Sequence, residues 1–150
     1  MHSWAYGFQT VRAMAAAADL VAQGAVLSNT YVPDSPGGPL TDYAFAVERV
    51  LVNHALTADP VPERITVSAP GGPQVPDNLW VEDSVVYRDG QRLIVFLRRY
   101  GPGRYTIITA PAMSTFVVDG DQVRPFAPDH GLQDVPGAMA RADFLALVGE

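Results

Sequence analysis

The chain has 150 residues, a formal net charge of −6, no cysteine and no lysine, so all ten of its basic residues are arginine. Disulfides and thiolate metal sites are therefore excluded within it, and the acidic balance argues against a dedicated nucleic-acid binder or an anionic membrane surface as partner. No run of about 18 apolar residues occurs, so no membrane span is expected.

One domain over 1–150 is the simplest organisation for this length. Such a domain buries roughly 70% of its unfolded surface and needs no covalent staples. Near the N-terminus, Met14 to Ala18 is apolar, but Asp19 interrupts it and no basic segment precedes it, so it reads as helix and not as a signal peptide. Residues 10–18 form the predicted helix, with Thr10 as N-cap and Val11, Met14 and Ala18 on one face. Leu20 to Val32 reads as a long strand with Gly24 as a bulge or a point of close approach. The Asp34 to Pro39 loop follows.

Tyr43, Phe45 and Val47 alternate with Ala44, Ala46 and Glu48, the pattern of a half-buried strand. The alternation breaks at Val50-Leu51-Val52, which predicts a bulge or two-sided burial. Asn53 to Pro62 is a loop, Arg64 to Ala69 a strand, and Pro70-Gly71-Gly72-Pro73 opens a second loop. Leu79 to Val86 mixes strand and turn signals. Trp80 there is expected to cover a barrel end, or else to be a contact residue.

From Gln91 to Arg124, short β-rich runs alternate with tight turns. They are Arg92 to Arg99, Tyr105 to Thr109, Thr115 to Val118 and Gln122 to Arg124, joined at Gly101-Pro102-Gly103 and Asp119-Gly120. Short connections imply antiparallel pairing. A C-terminal helix is predicted over 134–148, with Asp134 as N-cap, Pro136 in the first turn, and Met139, Phe144, Leu145 and Val148 as its apolar positions.

The fold class that follows is mainly β: a small antiparallel barrel of about five to seven strands over 20–126, with a short N-terminal and a C-terminal helix. Several runs, in their order, carry a resemblance. They are Ala18-Asp19-Leu20-Val21 into Gly24-Ala25-Val26, then Tyr43 to Val47 with Val50-Leu51, Ile65-Thr66-Val67 before Pro70-Gly71-Gly72, Arg92 to Leu97, and Gly103-Arg104-Tyr105. Over about residues 12–126 the chain resembles the small OB-like barrel domains of bacterial secreted and envelope proteins of unassigned function. More remotely it resembles the netrin/TIMP-type barrel. The resemblance implies a five-stranded, partly open barrel and an extracytoplasmic home. TIMP-type inhibition works through an N-terminal cysteine that this chain lacks, so no functional residue carries over.

Catalytic signatures are missing from the sequence. His2, His54 and His130 lie far apart without ligand-spaced partners, so no metal or other cofactor is expected. There is no Gly-x-Ser-x-Gly elbow. Glu82 and Asp83 are adjacent and would point to opposite faces of a strand. Asp119-Gly120-Asp121 lacks the closing Glu of a calcium loop, since position 130 is His.

Charge distribution singles out one segment. Residues 85–109 carry five arginines against Asp89 alone, while residues 1–84 carry three arginines against nine acids. The candidate binding residues are Arg98, Arg99, Tyr100, Arg104 and Tyr105, whose guanidinium forks and aromatic faces suit carboxylates, phosphates or acidic partners. The same arginines could instead pair with the chain's own acidic loops or guard a strand edge. The leading expectation is a non-enzymatic binding domain for an acidic protein or a small anionic ligand, with no nucleic acid as partner. One alternative is a small enzyme or ligand carrier whose polar groups converge only in three dimensions. A third reading is single-stranded nucleic-acid binding by OB-fold analogy.

Overall fold

A computed structural model describes residues 8–54, 60–81, 84–127 and 132–149. Its elements in chain order are α1 (Val11–Ala17), β1 (Leu20–Val32), β2 (Leu40–Asn53), β3 (Arg64–Pro70), β4 (Arg92–Gly101), β5 (Arg104–Ile107), α2 (Pro111–Ser114), β6 (Thr115–Asp119), β7 (Gln122–Pro125), β8 (Met139–Ala140) and α3 (Arg141–Val148). The protein is mainly β. Strands run in the order β1-β2-β3-β5-β4-β6-β7-β8, and a further β1–β4 pairing closes the first five into a barrel. The barrel is thus closed where the resemblance implies a partly open one, and three strands extend it.

All pairings are antiparallel except β3 with β5, which run parallel through Thr66, Val67 and Ser68 against Arg104, Tyr105 and Thr106. The Gln91 to Arg124 segment is correspondingly not one continuous meander. β4 and β5 form a hairpin, but β6 returns to the other side of β4 before its own hairpin with β7. The strand expected to reach Thr109 ends at Ile107.

β1 pairs with β2 along its whole length and with β4 over Leu20 to Ala25. Sharing one strand between two partners requires strong bending, and three register shifts provide it. Leu51 and Glu48 are the extra residues on β2, and Leu27 is the extra residue on β1. The break in alternation at Val50-Leu51-Val52 is therefore a bulge, which turns Leu51 into the core and leaves Val50 exposed. Glu48 accepts hydrogen bonds from Gln23 at 3.1 Å and Arg92 at 3.0 Å. The Arg92 bond above all holds its carboxyl below the ordinary value. At Gly24 a Cβ would collide with the Ala46 carbonyl oxygen and the Phe45 ring, so the close approach expected from sequence is real.

Two apolar cores share the central strands. Leu20, Ala22, Tyr43, Phe45, Ile65, Val67, Leu93, Val95, Leu97 and Tyr105 belong to one core. Val21, Ile94, Phe96, Phe116, Val118 and Val123 form a second one with α1 and α3. The run Leu93 to Leu97 is apolar at every position because alternate residues enter different cores. In the first core, the Tyr43 and Tyr87 rings lie 4.9 Å apart, and the Tyr87 hydroxyl shares a 2.5 Å hydrogen bond with Thr115 Oγ1. In the second, Phe116 packs on Phe96 at 5.8 Å and on Phe144 at 4.9 Å.

The predicted C-terminal helix is shorter than its expected span of 134–148. α3 begins at Arg141, and Met139 and Ala140 pair with β7. Asp134 caps the other helix. Its carboxylate accepts from the backbone N–H of Val11 at 2.7 Å and of Arg12 at 3.2 Å. Thr10 accepts from Ala13 as expected, so α1 has side-chain acceptors for three of its free N–H groups. Trp80 is 79% exposed and covers no barrel end, contrary to the expectation for it.

Two consequences are measurable in chemical denaturation. Asp134→Ala should cost about 1 kcal/mol, the usual value of a helix cap, and Gly24→Ala about 1–3 kcal/mol through overpacking against backbone. A melt of either variant superimposable on the parent would contradict the packing described.

Burial raises the hydroxyls of Tyr43, Tyr87 and Tyr105 above the ordinary tyrosine value of 10.0. The folded state therefore prefers these groups neutral. Their contribution is complete below pH 10.0 and is lost as pH rises above it. Urea midpoints should hold steady up to about pH 10 and fall beyond it.

Candidate functional site

The five hairpin residues singled out by charge do not all lie on one face. Through Leu93, Val95 and Leu97, β4 directs alternate residues into the barrel core, and Arg99 continues that side. Arg98 lies on the opposite side, exposed and in register with Thr106. At Tyr100 a bulge interrupts the β4–β5 ladder, because Arg99 pairs with Tyr105 but Gly101 pairs with Arg104. Gly103 closes the turn at φ 67°, a conformation that favours glycine.

Tyr100 and Arg104 belong to a polar cluster on the outer face of β2, β3 and β5. The Tyr100 hydroxyl lies 3.0 Å from Ser68 Oγ, which donates to Asp42 at 2.5 Å. The Arg104 guanidinium sits over the Tyr100 ring, 5.6 Å from its centroid, and reaches Asp42 at 3.7 Å. Both are half-exposed, so the ion pair is long and screened, and it holds Arg104 weakly.

Arg99 and Tyr105 face the end of the barrel. The Arg99 backbone N–H donates to Asp19 at 2.8 Å, which anchors the hairpin to the start of β1. Tyr105 is only 3% exposed. Burial pushes its hydroxyl up, and the charge and hydrogen bond of Arg99 pull it partly back.

These two residues and Arg104 line a groove of about 620 Å³, together with Arg64, Thr66, Asn53, the Pro60-Val61-Pro62 segment and the Pro102-Gly103 turn. Arg64 has no place in the charge-based prediction. It reaches the site through the parallel β3–β5 pairing, which sets Thr66 beside Arg104 and leaves Arg64 two residues away on the same face of β3. Among the described residues the groove lining holds three arginines and no acid.

His54 is tied to the end of α1. Its Nδ1–H donates to the Ala18 carbonyl at 3.1 Å, and its backbone N–H to the Asp19 carbonyl at 2.7 Å. His2, His130, Glu82 and Asp83 lie outside the described residues. Among the described residues no group of three or more His, Asp or Glu side chains could hold a metal ion, and no helix is long and apolar enough to cross a membrane. No family model matches the chain, and no curated protein matches it either.

Proposed function

We propose that this protein is a non-enzymatic binding domain that captures an anionic partner at the end of its barrel. The observation that carries the reading is the convergence of Arg64, Arg99 and Arg104 on one concave groove in a chain that is acidic overall. Guanidinium forks in a recess meet carboxylates and phosphates with directed, charge-assisted hydrogen bonds. An enzyme or carrier site assembled in three dimensions would call for a recess lined by His or several acids. The lining of this groove has neither among the described residues.

The domain is read as OB-like. Support comes from the order β1-β2-β3-β5-β4, the closing β1–β4 pair and the parallel β3–β5 pair. OB-folds bind ligands on the face of their second and third strands, beside the loops that follow strands one and four. The groove adjoins β3 and the β4–β5 turn, which is agreement by analogy of fold. Oligonucleotide binding draws less support, because Arg98 and Arg99 lie on opposite sides of β4 and form no continuous basic stripe. A bacterial envelope or secreted setting follows from the same resemblance. Fractionation of producing cells tests it, and recovery in the cytosol alone would refute it.

The binding reading is tested with a fluorescent oligo-glutamate peptide at low ionic strength. The parent should bind, and added salt should weaken the complex. The double variant Arg64→Glu, Arg104→Glu should lose at least roughly tenfold in affinity, since each removed charge-assisted contact is worth about that much. Absence of binding by the parent would sink the proposal.

A further inference from the structure

We infer that the groove is a site for a small ligand with a compact, multiply charged oxyanion head, such as a diphosphate or a polycarboxylate, and not for an extended acidic surface. This rests on the anion-binding reading above and narrows it to a chemical class.

Shape is the first ground. A concavity of about 620 Å³ lies within the usual range for small-molecule sites, roughly 300–1,000 Å³. An acidic protein would meet the exposed arginines of a convex surface. Here Arg98, the arginine directed away from the core side of β4, is not part of the lining.

Donor chemistry is the second ground. Arg64 and Arg104 come from neighbouring parallel strands, and Arg99 comes from the strand on the far side of β5. Their forks therefore approach from different strands, as a compact head with several acceptor oxygens requires. Tyr105 lines the groove beside Arg99, and its hydroxyl adds a neutral O–H donor to the guanidiniums. Burial keeps that hydroxyl protonated through the neutral range. Arg104 is held by a long contact with Asp42 and by its place over the half-exposed Tyr100 ring, both weak enough for it to turn to a ligand while Ser68 retains the Asp42 carboxylate.

The rest of the lining is the third ground. Pro60, Val61, Pro62 and Pro102 give the groove an apolar wall beside its basic one. Proline rings are stiff and offer flat contact area at little entropic cost. The ligand class is thus an anionic head joined to an apolar or ring-shaped body.

Isothermal titration with pyrophosphate and with citrate, each competed against the oligo-glutamate probe, provides the test. The parent should bind at least one of the two with one-to-one stoichiometry, and that anion should displace the peptide. Arg64→Gln, Arg99→Gln and Arg104→Gln should each weaken binding roughly tenfold, while Arg98→Gln should leave it unchanged. Arg64→Lys, which keeps the charge but loses the fork, should restore only part of the affinity. Near-ultraviolet circular dichroism identifies any variant that has lost its fold, and the remaining variants then carry the comparison.

Oligo-glutamate binding that neither small anion disturbs would overturn this inference and leave the broader binding reading standing. Silence toward all three probes would remove both. Equal binding by the folded groove variants would show that the anions sit elsewhere. A single-stranded oligonucleotide that bound more tightly than either small anion, through Arg98 as well, would replace the pocket with a strand-tracking path.

Discussion

The double use of β1 is the constraint on which the rest of the structure depends. Its first six residues carry hydrogen-bonding partners on both edges, β2 on one side and β4 on the other. A flat strand cannot do this and close a circle of five. The bulges at Leu51, Glu48 and Leu27 add local twist, and Gly24 lets the backbone of β2 approach where a side chain would block it. Closure in turn removes the free edges of β1 and β4 and forces β3 and β5 together. Both of those strands run the same way, so the β3–β5 pair must be parallel. That geometry is what carries Arg64 to Arg104.

Closing the barrel also makes its central strands two-faced. β4 sends Leu93, Val95 and Leu97 inward and Ile94 and Phe96 into a second core built with β6, β7 and the two longer helices. The second core ties α1 and α3 to the barrel. Asp134 caps α1 from more than a hundred residues away, and Gln133 adds a backbone bond to Gln9 and a side-chain bond at 3.0 Å. The groove lies at the end of the barrel where β1 begins, because Leu20 there pairs with Asn53 on β2 and Leu97 on β4. In the positions they occupy, Asp19 and His54 join the two regions: Asp19 bonds the backbone of Arg99, and His54 bonds the end of α1.

Local chemistry was legible in the sequence wherever it was sufficient. Strand alternation at Tyr43 to Val47, the broken alternation at Val50 to Val52, the Thr10 cap and the Gly103 and Gly120 turns each depend on neighbours within a few residues. Asp134 misled because a cap is recognised by its acceptor oxygen near free N–H groups, and sequence does not say which helix supplies them. Pro136, placed in the first turn of the expected helix, lies outside α3. Trp80 misled because an aromatic beside prolines has no periodicity to show its direction. The basic hairpin was visible as charge, but its division between two sides of β4 needed the strand parity. Arg64 carried no local signal at all, since its neighbourhood is created by a parallel pair nearly forty residues apart in sequence.

An acidic chain that gathers cations at one end of its barrel has an electrostatic consequence. Repulsion among three guanidiniums opposes the folded arrangement, and the nearest acids relieve it only in part. Asp19 spends a carboxylate oxygen on the Arg99 backbone, and Asp42 is shared between Ser68 and Arg104. The buried ring of Tyr105 lowers the local polarity and lessens screening, which strengthens electrostatic interactions of either sign. Surrounding negative charge repels stray anions at long range, where salt screens the effect within roughly 10 Å. On the proposed reading, selection would fall to short-range geometry: a ligand would have to bring several acceptor oxygens to forks arriving from three strands at once. Overall acidity and a basic recess are in this way compatible: the first disfavours diffuse polyanion binding, and the second is the feature on which the proposed ligand binding rests.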